Sequence, residues 1–156
     1  ALCLGALTQD CYQYLKPKVN SRLDQKVHQA ALVLDLDHFK SVNDQFGHDA
    51  GDQLLRRVAA RLERSLRAGD QAFRLGGEEF LVVMRTDGED DIERAAERLR
   101  QKLCGAIQIE SEWIRFSCSA GLASGQRSLA DLIRQADHAL YAAKDAGRNQ
   151  CVNADV

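Results

Sequence analysis

The sequence predicts an α+β domain in which a central, mainly antiparallel sheet of about five strands carries helices on its faces. Three observations lead there. Ala30-Ala31-Leu32-Val33-Leu34 is a continuous apolar run ending at Asp35, the pattern of a strand buried on both faces. Two strand-like pieces, residues 71–75 and 80–84, flank Gly76-Gly77-Glu78-Glu79, which makes that tetrad the tip of a β-hairpin. Apolar residues at helical spacing fill the intervals, giving the order β-α-α-β-β-α-β-β-α-β.

After the first strand, Phe39, Val42 and Phe46 recur at helical spacing up to Gly47. A second helix is predicted from about Asp49, with Leu55, Val58, Ala59, Leu62 and Leu66 on one face, Arg57, Arg61 and Arg64 opposite, and Gly69 as its end. Ile92, Ala95, Ala96, Leu99 and Leu103 write a third helix, and strands are predicted near residues 107–109 and 113–123. The last helix opens on Ser128 as N-cap with Asp131 three residues on, carries Leu129, Leu132, Ile133, Ala136, Leu140 and Ala143 as its apolar stripe, and stops at Gly147. No internal repeat, low-complexity tract or Pro/Gly-rich linker divides the chain, whose single proline is Pro17, so one globular domain is expected.

The 156 residues are 45% hydrophobic and 28% charged, proportions that allow one sizeable core. A net charge of -2 gives no basic field for general nucleic-acid binding, so any phosphate recognition must come from a local site. The longest apolar runs are too short to span a bilayer, and no signal-like segment is present. Cys3, Cys11, Cys104, Cys118 and Cys151 are scattered without a C-x-x-C pair, which favours reduced thiols in the cytoplasm. The abrupt start at Ala1 leads us to expect an excised part of a longer protein.

Asp35 and Asp37 close the buried strand, where their carboxylates emerge near the start of the next helix. Such carboxylates can hold Mg²⁺ while helix amides receive phosphate oxygens. The plainer reading has Asp37 capping the helix and Asp35 solvated. Glu78 and Glu79 sit on a glycine-preceded turn, where missing side chains let a triphosphate approach the backbone. An acidic strand end followed about forty residues later by an acidic hairpin tip is much rarer than either alone.

Gly76-Gly77-Glu78-Glu79-Phe80 is the GGEEF form of the GGDEF signature, and the chain resembles that family of diguanylate cyclases. Further motifs fall in order: Phe39-Lys40-Ser41-Val42-Asn43-Asp44, Phe46-Gly47-His48-Asp49-Ala50-Gly51-Asp52, Ser119-Ala120-Gly121, residues 136–144 and Gly147-Arg148-Asn149, so that the match covers about residues 30–151. The resemblance implies a palm-like, nucleotidyl-cyclase type of sheet, with residues 30–156 as the catalytic domain and 1–29 as an N-terminal helical lead-in. It implies one GTP per domain, cyclic di-GMP as product and inhibitor, and a homodimer in which each ribose 3′-hydroxyl attacks the α-phosphorus of the opposite GTP. Asp35, the backbone carbonyl of Leu36, and Glu78 are similar to the family's ligands for Mg²⁺ or Mn²⁺, with Glu79 a second ligand or proton acceptor. Asn43 and Asp52 match its guanine readers, since an amide and a carboxylate can pair with the N–H groups that adenine lacks. Phe39, Lys40, His48, Lys144 and Arg148 resemble the remaining substrate contacts, the lysines and the arginine facing the phosphates. A sensory or receiver domain N-terminal to this chain is implied as well.

Arg67-Ala68-Gly69-Asp70 resembles the family's inhibitory R-x-x-D site, lying five residues before Gly76, with Arg98 as a second contact. A guanidinium can grip phosphate oxygens or a guanine edge in bidentate fashion. The local alternative is an Arg67–Asp70 ion pair that closes the turn. Near the N-terminus the family's D-x-L-T-G-L-x-N-R-R survives only as Leu7-Thr8, without its arginines. This departure keeps a second function open, a module that holds GTP or cyclic di-GMP and signals without turnover. A third, a palm-like nucleotidyltransferase on a polynucleotide, conflicts with the absent basic surface.

Overall fold

The structure is a computed structural model that describes residues 28–86 and 91–155. The predicted helical lead-in and the degenerate Leu7-Thr8 motif lie outside the described residues. In chain order the elements are β1 (Gln29–Leu36), α1 (Phe39–Phe46), α2 (His48–Ser65), β2 (Gln71–Gly76), β3 (Glu79–Arg85), α3 (Ile92–Leu103), β4 (Gly105–Ile109), β5 (Glu112–Phe116), β6 (Cys118–Gly125), α4 (Leu129–Asp145) and β7 (Cys151–Asn153). Five strands form one sheet in the order β2-β3-β1-β6-β7, antiparallel except for the β6–β7 edge, and β4–β5 form a separate hairpin. The α+β class and the mainly antiparallel sheet are as the sequence predicts.

Alternation along β1 sorts the core into two layers. Leu32, Leu34 and Leu36 pack with Val42 of α1, Leu54, Val58 and Leu62 of α2, Leu99 and Leu103 of α3, and Ile107 and Ile114 of the small hairpin. Ala31 and Val33 face the other way, against Leu132, Ala136 and Leu140 of α4. Both faces of β1 are therefore covered, which is why its sequence is a continuous apolar run and not an alternating one. Helix α4 lies directly on β6 because Gly121 has no side chain: a Cβ there would stand 1.9 Å from the carbonyl oxygen of Ala136. Ser128 caps α4 as predicted, its side chain accepting from the Asp131 amide at 3.1 Å.

Two boundaries differ from the sequence reading. Helix α2 ends at Ser65, four residues before Gly69, because Leu66 turns into extended backbone and the Asp70 carboxylate takes over the Arg67 amide at 3.1 Å. The run predicted as one strand over 113–123 breaks at Ser117 into β5 and β6. Ser117 leaves the ladder to accept from the Asp37 amide at 2.9 Å and to donate its hydroxyl to the Asp37 carboxylate at 2.7 Å.

Candidate active site

The hairpin β2–β3 turns at Gly77-Glu78, with Gly76 and Gly77 at φ of 149° and 50°, values that residues with a Cβ rarely adopt. Arg74 braces the turn by donating to the Gly77 carbonyl at 3.0 Å. This sets Glu79 directly opposite Asp35 across the β1–β3 ladder, while Ser119 of β6 faces Asp35 from the other side. Cross-strand partners share a face, so both carboxylates belong to the side that α4 covers. Leu36 joins the same corner, its amide donating to the Glu78 carbonyl at 3.2 Å.

Helix α4 delivers two charged groups to this corner. The Lys144 ammonium is hydrogen-bonded to the Asp35 carboxylate, which is only 7% exposed. Burial raises the Asp35 pKa above the ordinary carboxylate range, the Lys144 bond opposing it. At Lys144 burial works against the charge, yet Asp35, Glu79 and Glu78 outweigh it and hold its pKa high. Glu79 is pushed up to about 7 by burial first, then by the Asp137 and Asp35 charges, with a hydrogen bond donated by the protonated Glu79 to Asp137 adding to the rise. The corner thus gathers more carboxylate than one ammonium offsets.

That excess is the chemistry of a site for a hard divalent cation, whose preferred donors are carboxylate and carbonyl oxygens. Asp35, the Leu36 carbonyl, Glu78 and Glu79 supply that donor type at one sheet edge. Among the described residues no three acidic, His or Cys side chains converge as they stand into a metal cluster.

Asp37 is neither a helix cap nor solvated. His38 is the N-terminal cap residue of α1, and Asp37, 6% exposed, accepts from the Ser117 hydroxyl, the Ser119 hydroxyl at 2.6 Å and the Asn149 amide at 3.0 Å. It ties the end of β1 to β6 and to the turn that carries Arg148. Sequence reasoning also passed over Asp137, although its spacing of seven from Lys144 puts both on one face of α4.

Asn43 nests against Gly51, where an added Cβ would fall 1.9 Å from its Oδ1 and 3.2 Å from Cζ of Phe39. The glycine thus lets the amide and the aromatic ring sit tightly in the α1–α2 corner, beside Asp52. Asp52 itself is exposed and lines a cavity of about 460 Å³ with Arg56, Arg74 and Phe80. Lys40, His48 and Arg148 are exposed, on α1, at the start of α2 and in the turn after α4. Arg67 and Asp70 form an ion pair at 3.3 Å, and Arg67 also donates to the Arg85 carbonyl. Arg98, exposed on α3, lines a separate surface cavity of about 500 Å³ to which Arg67 and Asp70 do not contribute.

An acidic glycine turn, opposed carboxylates and a lysine from the covering helix thus meet at one end of the sheet of an α+β domain. The family model of the GGDEF domain of diguanylate cyclases matches residues 9–150, and the chain belongs to that family. The match begins well before the stretch that carries the recognisable motifs. The chain is 39% identical to the bifunctional diguanylate cyclase/cyclic di-GMP phosphodiesterase MucR of Pseudomonas aeruginosa over 84% of its own length and 21% of that protein. It is 37% identical to the diguanylate cyclase DosC of Escherichia coli, over 78% of this chain and 27% of that one. It therefore spans only about a quarter or less of these curated relatives. The crystal structure of the GGDEF domain of DgcB from Caulobacter crescentus, in complex with cyclic di-GMP, superposes with a TM-score of 0.82 at 28% identity, covering 97% of each chain.

Proposed function

We propose that this domain is a diguanylate cyclase: each copy holds one GTP, and two copies face each other to join them into cyclic di-GMP with release of two pyrophosphates. The observation that carries this reading is the alignment of Asp35 with Glu79 beneath the Gly76-Gly77 turn, with the Lys144 ammonium on Asp35. Bound Mg²⁺ or Mn²⁺ would supply Lewis acidity, lowering the pKa of a ribose hydroxyl and offsetting charge on pyrophosphate. Asp35, the Leu36 carbonyl and Glu78 would hold it, with Glu79 a further ligand or the acceptor of the hydroxyl proton.

The glycine turn leaves room for the triphosphate. Lys40, Lys144 and Arg148 would receive its oxygens. Asn43 and Asp52 read guanine, with Phe39 and His48 beside the nucleoside. Arg67 and Asp70, with Arg98, form a product-inhibition site; the cyclic di-GMP in the DgcB complex supports product binding by this fold. The full protein is read as a cytoplasmic homodimer with an N-terminal sensory or receiver domain, and neither nucleic acid nor membrane engages this segment.

Replacement of ligands tests the mechanism. Asp35→Ala or Glu78→Gln should lower cyclic di-GMP formation at least about a hundredfold, because a carboxylate at a metal site contributes several kcal/mol to the transition state. Unchanged circular dichroism would show that the fold persists. Near-normal turnover by Glu78→Gln would remove the assignment.

A further inference from the structure

The fold brings together two cysteines that are fourteen residues apart in sequence. Cys104 follows the last turn of α3 and Cys118 opens β6, yet their sulfurs lie 3.4 Å apart. Both thiols are free. Their surroundings differ. Cys118 is 1% exposed, whereas Cys104 lines a cavity of about 620 Å³ together with Ala106, Arg115, Ser117 and Asn149. The cavity thus borders one cysteine and not the other.

The groups around Cys104 favour its thiolate. The Cys118 amide donates to its sulfur at 3.3 Å, and Nη1 of the buried Arg100 lies 3.6 Å from it. Hydrogen bonding from Cys118 and the nearby guanidinium lower the Cys104 pKa below the ordinary thiol range, against the effect of its burial. Arg100 is itself fixed by Glu97 at 2.6 Å, the Cys118 carbonyl at 3.0 Å and the Asn149 side chain at 2.8 Å. Local geometry and access both point the same way.

We propose that Cys104 and Cys118 form a reversible dithiol–disulfide site, with Cys104 as the thiol that meets hydrogen peroxide and Cys118 as its resolving partner. In the first step the Cys104 sulfur attacks one peroxide oxygen. An S–O bond forms, the O–O bond breaks, and the departing hydroxide takes up the thiol proton as water. In the second step the Cys118 sulfur attacks the Cys104 sulfenic acid. The S–S bond forms, the S–O bond breaks, and hydroxide leaves with the Cys118 proton as a second water. The two sulfurs together lose two electrons and the peroxide oxygens gain them. Close placement of a resolving thiol beside an accessible low-pKa cysteine is the arrangement that redox-sensing cysteines use.

The site is tested on the intact chain without reference to turnover. The chain is exposed to hydrogen peroxide, remaining thiols are alkylated with iodoacetamide, and tryptic peptides are mapped by mass spectrometry. Trypsin separates Cys104 and Cys118 at Arg115, so a disulfide appears as peptides 103–115 and 116–127 joined with the loss of two hydrogens. The expected result is that joined pair, lost after treatment with dithiothreitol. In Cys118→Ser, Cys104 should accumulate as a sulfenic acid that dimedone traps. Full alkylation of both cysteines after peroxide treatment of the wild-type chain would overturn the proposal, as would a Cys104 disulfide to Cys3, Cys11 or Cys151 in place of Cys118.

Discussion

Burial and neighbouring carboxylates shift the titration of Glu79. Its folded pKa of about 7 stands above the ordinary value of 4.5, so between those values the folded state retains a proton that the unfolded chain has released. Its contribution to stability is therefore complete below the unfolded pKa and is lost as pH rises through the folded one. Glu79→Gln cannot lose that proton. In metal-free buffer the variant should melt near the wild type at about pH 4 and progressively above it towards pH 8, and parallel melting curves across that range would contradict the assigned burial. A divalent cation held as proposed would bind the ionised carboxylates, so Mg²⁺ should raise the wild-type melting temperature more at pH 8 than at pH 6.

Asn43 and Gly51 make a second residue-scale argument. The amide occupies the space that a Cβ at position 51 would need. If Asn43 and Asp52 read the base, ATP leaves the Asp52 carboxylate and the Asn43 amide without their guanine partners, which costs about 1–3 kcal/mol or more. Competition binding should place ATP at least about tenfold weaker than GTP, and Gly51→Ala should erode that preference by displacing Asn43. Equal affinity for the two nucleotides in the wild-type chain would remove the base-reading role.

Among elements, the turn between α2 and β2 carries the proposed inhibitory site. The Arg67–Asp70 ion pair is present, with the guanidinium partly exposed and the Asp70 side chain buried, so a phosphate would have to draw Arg67 away from a buried carboxylate. Loss of a charge-assisted hydrogen bond costs about 1.5–3 kcal/mol, so Arg67→Ala should weaken cyclic di-GMP binding about tenfold to a hundredfold in calorimetry while turnover persists. Equal affinity in variant and wild type would leave the ion pair as the whole function of that turn.

The elements whose signals are local were legible in the sequence. The apolar run of β1, the glycine hairpin, the stripe of α3 and the Ser128 cap each depend on neighbouring residues, and each stands where it was predicted within a residue or two. Tertiary partners decided the remainder. The β5–β6 break at Ser117 exists because Asp37, eighty residues earlier, draws its hydroxyl and carbonyl. Asp37 read as a metal-holding carboxylate or a cap because nothing local announces Ser117, Ser119 and Asn149 as its partners. Asp137 and the Cys104–Cys118 contact escaped for the same reason, since only the packing of α4 and α3 on the sheet brings those groups together.

At the scale of the whole molecule, the described site offers one set of carboxylates and one lysine-bearing helix, whereas the proposed product is built from two nucleotides. On the proposed reading one copy is half of an active unit, and turnover would depend on encounter between copies. The most direct measurement is incubation of the purified chain with GTP and Mg²⁺ over a series of protein concentrations, with cyclic di-GMP and pyrophosphate quantified together. The account predicts two pyrophosphates for each cyclic di-GMP and a specific activity that rises with protein concentration. Binding of GTP without either product, or a specific activity that stays flat on dilution into a demonstrably monomeric state, would contradict it.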